Sequence, residues 1–122
     1  MGFAHKEITE KIIGAAFEVY KVLGYGFLES VYQKSMQVEL QRLGCKCEIE
    51  HSIKVKYKMA VVGDFYADLY VNDAVIVELK TAKSYNPDDE PQLLNELKAT
   101  GVKVGLLINF GRSKVEFERR VF

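Results

Sequence analysis

Phe65-Tyr66-Ala67-Asp68-Leu69-Tyr70-Val71 and Val75-Ile76-Val77-Glu78-Leu79-Lys80 decide the fold of this chain. Both runs are rich in β-branched and aromatic residues, and Asn72-Asp73 between them is a tight-turn pair. They read as an antiparallel hairpin. Each also carries charge where so apolar a strand would be expected to have none. Side chains alternate along a strand, so Glu78 and Lys80 share one face and Leu79 points the other way, into the core. Pairing about the turn sets Asp68 opposite Ile76 to Glu78, and cross-strand neighbours lie about 5 Å apart. Two carboxylates at that spacing suit one hard cation, and Mg²⁺ takes oxygen ligands at about 2.0–2.1 Å while keeping several waters. A metal held there would polarise a phosphoryl oxygen and help ionise a water. Lys80 would orient or help deprotonate that water and stabilise the developing negative charge. Asp68, Glu78 and Lys80 are the equipment of a phosphodiesterase. The plainer reading is a solvated strand face with an ordinary ion pair. Asp-x9-Glu-x-Lys by itself does not choose between them.

Outward from the hairpin, the pattern on either side is regular. Upstream, Ile53, Val55 and Tyr57 alternate with Lys54, Lys56 and Lys58, which predicts a strand with one buried and one cationic face. Val62-Gly63-Asp64 allows a turn or bulge before the Phe65–Val71 strand. Further upstream, Ile8, Ile12, Ala15, Ala16, Val19 and Leu23 recur at helical spacing and Gly24 stops the run. After Tyr25-Gly26 a second helix runs from Leu28 to Leu43, with Leu28, Val31, Tyr32, Met36, Leu40 and Leu43 toward the core. Downstream, Pro87-Asp88-Asp89-Glu90-Pro91 opens a third helix ending at Gly101, its acids placed to cap the positive end. Val102–Asn109 reads as a buried, central strand, and Lys114–Val121 as a last one. The order is two helices, a β-meander, a helix and two strands: a mixed α/β sandwich with helices on the sheet.

The 122 residues suit one domain, and 48% apolar content is enough for one core. Zero net charge means that any nucleic-acid surface must be local. Lys54, Lys56 and Lys58, with Lys83, Lys98, Lys103, Arg112 and Lys114, are the candidates for phosphate contact. No apolar run is long enough to span a membrane, and the start lacks the apolar core of a signal peptide. Cys45 and Cys47 are too close for a relaxed disulfide and lack a second pair for zinc, which points to a reducing, cytoplasmic setting. His5 and His51 have no evident partners in the sequence.

Gly26-Phe-Leu-Glu29-Ser-Val-Tyr32 matches the GxxExxY pattern of a bacterial and archaeal family named after it. The likeness continues through Ala67-Asp-Leu69, Ile76-Val-Glu-Leu-Lys80, Glu90-x-Gln92-Leu-Leu-Asn95, Leu97-Lys-Ala-Thr-Gly101 and Val104–Gly111. That family resembles a compact branch of the PD-(D/E)XK nuclease superfamily, with its αβββαβ core and restriction-endonuclease-like three-layer sandwich. The resemblance makes 1–122 one nuclease-like domain and Asp68, Glu78 and Lys80 the superfamily triad. It adds Glu29 as a helix carboxylate at the metal, beside Asp68 and Glu78, and Gln92 as a glutamine facing the site. It implies Mg²⁺ or Mn²⁺ as cofactor and nucleic acid, DNA first, as substrate, with a homodimer or protein partner supplying specificity. The alternative is a non-catalytic module that keeps the fold and binds nucleic acid or protein. The chain departs from the family pattern at Ala67, where the superfamily has proline, and at Tyr66, where a basic residue is common. It departs again at Asp89, where histidine is common, and at Glu96, where an aromatic is common. None of these removes a proposed ligand.

Overall fold

The computed structural model describes residues 5–122; the expectation about a signal peptide at Met1–Ala4 lies outside the described residues. Helices α1 (Lys6–Leu23) and α2 (Glu29–Arg42) precede strands β1 (Cys47–Tyr57), β2 (Ala60–Val71) and β3 (Val75–Lys80). One 3₁₀ turn (Pro87–Asp89) leads into α3 (Glu90–Thr100), and β4 (Val104–Phe110) and β5 (Val115–Val121) follow. The sheet order is β1-β2-β3-β4-β5, with β3 and β4 parallel and every other pair antiparallel. This is the expected α/β fold in three layers. On one face Ile12, Ala16, Val19, Tyr32, Met36 and Leu40 of α1 and α2 pack on Val75, Val77, Leu79, Leu106 and Ile108. On the other face Leu93 and Leu97 of α3 pack on Ile53, Ala67, Ile76 and Leu107. A strand covered on both faces reads as continuous hydrophobicity, which is why every residue of β4 is buried. Gly105 lets α3 lie close on β4, because a Cβ there would meet Leu93 Cδ1 at 2.7 Å.

The β1–β2 hairpin is longer than the residue pattern suggests. Its turn is Lys58-Met59, with φ of +48° and +73°, and β2 already begins at Ala60 rather than Phe65. Val62-Gly63-Asp64 is strand, and the register slips between Val55 and Lys56, leaving Val62 as the bulged residue. The hairpin runs past the core, so Val55 is only half-buried and Tyr57 is 63% exposed. Helix α2 likewise buries less than its pattern predicts: Tyr32, Gln33, Met36 and Leu40 are inside, while Leu28 and Leu43 are exposed. β4 is an interior strand, but the middle of the five is β3. The acids before α3 are not its caps. Asn86 accepts from the Asp88 N–H at 3.0 Å, while Glu90 bonds the Tyr85 hydroxyl and Arg120.

Tyr32 explains the connection between α1 and α2. It is fully buried, stacks on Phe110 at 4.4 Å between ring centroids, and donates its hydroxyl to the Gly24 carbonyl. The same oxygen accepts from the Phe27 N–H at 3.4 Å. Gly26 has φ of +113°, a backbone state open to glycine at little cost. Glycine and tyrosine thus fix the turn that sets the start of α2, and with it Glu29, beside the sheet.

Candidate active site

The β2–β3 ladder begins at Val71 and Val75, continues to Leu69 and Val77, and stops. The next rung would join Asp68 to Glu78, and there the side chains replace the ladder. The Leu79 N–H donates to Asp68 Oδ2 at 2.7 Å, and the Asp68 N–H donates to Glu78 Oε2 at 3.3 Å. The Asp68 carbonyl accepts from Gln33 Nε2 at 3.0 Å. On the far side of β2, Glu50 and Asp68 are the one rung missing from the β1–β2 pairing between Cys47 and Val55, and Glu50 has φ of +54°. Side-chain alternation breaks at the same point. Leu69 packs toward α1 and α2, yet Ala67, two residues away, packs toward α3. Asp68 therefore sits in a split in the sheet, with its backbone held by side chains.

Four carboxyls run across this split. Glu29, in the first turn of α2, hydrogen-bonds Asp68, and Glu78 hydrogen-bonds Glu96 of α3. Burial is the main cause of raised pKa in all four. Glu29 is pushed up to about 7 by burial of its carboxyl and by Asp68, against the pull of Lys80. Glu78, 4% exposed, lies well above the usual carboxylate range because it is buried and faces Glu96 and Asp68. Asp68 is raised less freely, since the Leu79 N–H, Glu29 and Lys80 all favour its ionised form. In each pair the hydrogen bond favours the proton on one side: it raises the pKa of Glu29 and lowers that of Asp68, and it raises that of Glu78 and lowers that of Glu96. Lys80 is half-buried at the end of β3, and its charge favours the ionised forms of Glu29, Asp68 and Glu96 alike.

The structure brings the five expected residues to one place by different routes. Glu29, Asp68, Glu78 and Lys80 meet through contact or field. Gln92 reaches the group through Glu96, its Nε2 donating to Glu96 Oε2 at 3.3 Å. Glu96 is the residue that sequence reasoning missed. It is fully buried, three residues after Leu93 and next to Leu97, on the stripe of α3 that packs on the sheet. A charged residue on an apolar stripe was the available signal, together with its place one helical turn from Gln92. Its Oε1 is a buried side-chain oxygen with no hydrogen-bond partner among the described residues. His51, by contrast, does have partners, meeting Glu48 at 3.0 Å and lying over Tyr70 at 4.3 Å between centroids. Both cysteines are buried and free.

Among the described residues no three His, Cys, Asp or Glu side chains already stand in a metal-holding arrangement. The donor set still fits a hard divalent cation: every donor is a carboxylate oxygen, two of the groups are buried, and one buried oxygen has no partner among the described residues. A groove of about 810 Å³ between the β1–β2 hairpin and α3 is lined by Lys54, Lys56, Phe65, Asn95 and Lys98. Lys54 there pairs with Asp64 at 2.6 Å.

No helix among the described residues is long and apolar enough to cross a membrane. A search of curated proteins finds no match. Among solved structures, one described as "Crystal structure of SSO0001" is similar, with a TM-score of 0.56 and 14% identity over 75% of this chain. The chain covers 48% of that protein, and the likeness bears on the fold alone. Residues 6–121 match the PD-(D/E)XK nuclease superfamily. That span takes in the split between β2 and β3 and every element around it, and the chain belongs to the PD-(D/E)XK nuclease superfamily.

Proposed function

We propose that this chain hydrolyses phosphodiester bonds in DNA and depends on Mg²⁺ or Mn²⁺. The observation that carries the reading is the interlock of Asp68 and Glu78 across the split strands, with Lys80 two residues further along β3, in a chain of a nuclease superfamily. Asp68 and Glu78, with Glu29 at the rim, would hold the cation. When bound, the cation supplies Lewis-acid polarisation of the phosphate and a lowered pKa for a water. Lys80 orients the attacking water through Nζ and offsets charge that develops on the phosphate. Asp68 is kept ready by the Leu79 N–H, which fixes Oδ2 and favours the ionised form. Glu29 and Glu78 must give up their protons for the carboxylates to bind metal.

The spacing Gly26-x-x-Glu29-x-x-Tyr32 supports placing the chain in the GxxExxY branch. Gly26 makes the turn, Tyr32 ties it down through Gly24, and Glu29 between them meets Asp68. The substrate surface we assign is the lysine-lined groove between the hairpin and α3, where Lys54, Lys56 and Lys98 would follow a phosphate backbone. The test is cleavage of end-labelled single-stranded, duplex and branched DNA, and of RNA, with Mg²⁺, Mn²⁺ or EDTA. Metal-dependent cleavage lost in Asp68→Ala and Lys80→Ala supports the assignment. Salt-sensitive binding without cleavage of any substrate replaces it with the non-catalytic binding module.

A further inference from the structure

Glu96 is the most anomalous side chain in the molecule. Its residue is 0% exposed, on the face of α3 that Leu93 and Leu97 use for packing. A buried carboxylate costs several kcal/mol unless its oxygens find donors or a cation. Among the described residues it meets Gln92 Nε2 at 3.3 Å on Oε2 and the Glu78 carboxyl. Oε1 has no hydrogen-bond partner among the described residues. The group alongside is Glu78, another carboxyl. Glu78 can donate to Glu96 only while it keeps its proton; once both are ionised they only accept, and neither satisfies the other. A leucine at 96 would pack with its neighbours and carry none of this cost. A cation coordinated by oxygens of both would resolve the arrangement.

We propose that Glu96 is a metal-binding residue of this chain, adding its carboxylate to those of Asp68 and Glu78, and that Gln92 is the positioning residue that holds it there. The inference rests on the nuclease reading and extends it, because it makes α3 part of the metal site. It also gives Gln92 a defined role, in which the amide fixes Oε2 and leaves Oε1 for the cation.

The experiment is Mn²⁺ titration of the whole chain by calorimetry, with Mn²⁺ EPR as a second readout, on wild type, Glu96→Gln and Asp68→Ala. Glutamine is nearly isosteric and keeps hydrogen bonding to Gln92, so a merely structural Glu96 predicts unchanged affinity. A metal-binding Glu96 predicts a Kd at least tenfold weaker in Glu96→Gln and an altered EPR signal. Gln92→Ala should give a smaller loss in the same direction. Unchanged Kd in Glu96→Gln with loss of binding in Asp68→Ala would overturn this proposal and leave the Asp68–Glu78 site standing. No Mn²⁺ binding by wild type would overturn both. If Glu96→Gln does not fold by circular dichroism, Glu96→Asp replaces it. Weakened binding at unchanged Tm then supports the proposal, and unchanged binding overturns it.

Discussion

The two carboxyl pairs of this site are built on opposite principles. Glu29–Asp68 stands at the rim. Glu29 comes from an exposed first turn of α2, where the helix dipole eases its charge although its carboxyl is partly desolvated against Asp68. Glu78–Glu96 is sealed between β3 and α3, with Glu78 4% and Glu96 0% exposed. The rim pair has backbone help, since the Leu79 N–H holds Asp68. The buried pair has one glutamine amide, and one of its oxygens has no donor among the described residues. The difference in exposure sets the two pairs apart: the rim pair is open to exchange, whereas the buried pair is sealed and would have to give up a proton to take a cation.

The most severe way to test that division is to remove what joins the two pairs. Asp68 touches Glu29 by side chain and Glu78 by its backbone N–H. Asp68→Ala should lower metal-dependent cleavage by about 10²–10³-fold, as loss of a group that stabilises developing charge does, in a labelled-DNA assay at saturating Mg²⁺. Lys80→Ala should match it in cleavage while keeping metal affinity. If both variants cut normally, the split in the sheet is not an active centre.

Next in size is pH. A carboxyl whose folded pKa is above its unfolded value binds more protons folded than unfolded. Its contribution to stability is full below the unfolded value and is lost as pH rises through the folded one. For Glu29 that window runs from 4.5 to about 7; the window of Glu78 opens at the same lower bound and extends further up. Tm in EDTA should therefore fall between pH 5 and pH 8, and saturating Mn²⁺ should reverse most of the fall. Glu78→Gln should flatten the slope from about pH 5 upward, including the part above pH 7, whereas Glu29→Gln should flatten it only below about pH 7, which separates the two pairs in one thermal-melt series.

The rim pair was legible in the sequence, and the buried pair was half-legible. Asp68, Glu78 and Lys80 stood out as charge in apolar strands, and the Asn72-Asp73 turn, with φ of +52° at both residues, set their register correctly. Glu29 and Tyr32 came from a spaced pattern whose physical basis is the stapled turn at Gly24–Gly26. Glu96 was read as a departure from an aromatic, because helical periodicity marks a position as inward but not what waits there. What waits is Glu78, on the α3-facing side of β3, and that contact depends on tertiary register. The hairpin length escaped for a similar reason. Lys58-Met59 has no glycine, asparagine or aspartate to announce a turn with positive φ, whereas Gly63 looked like a turn and lies within a bulged strand.

Tyr32 offers a control for both pairs, since its hydroxyl ties down the turn before Glu29 through Gly24 and Phe27. Tyr32→Phe leaves the Gly24 carbonyl and the Phe27 N–H without their shared partner in a partly buried setting. That should cost about 1–3 kcal/mol in urea unfolding and reduce cleavage only as far as Glu29 shifts with the start of α2.

The smallest effects belong to the groove beyond the site. Lys54, Lys56 and Lys98 line it, and each phosphate contact removed should lower the slope of log K against log salt by about 1. Lys98→Ala and Lys56→Ala should each weaken DNA binding a few-fold at low salt, equally for all sequences, and leave Mn²⁺ affinity untouched. Lys54→Ala should do less, because its ammonium is already engaged with Asp64 at 2.6 Å and gives up that pair to reach a phosphate. Fluorescence anisotropy across a salt series reads all three. If Lys54 proves the strongest of them, the hairpin must move on binding to free it from Asp64. The groove is then shaped by the DNA, while the carboxyl row beside it is fixed by the fold.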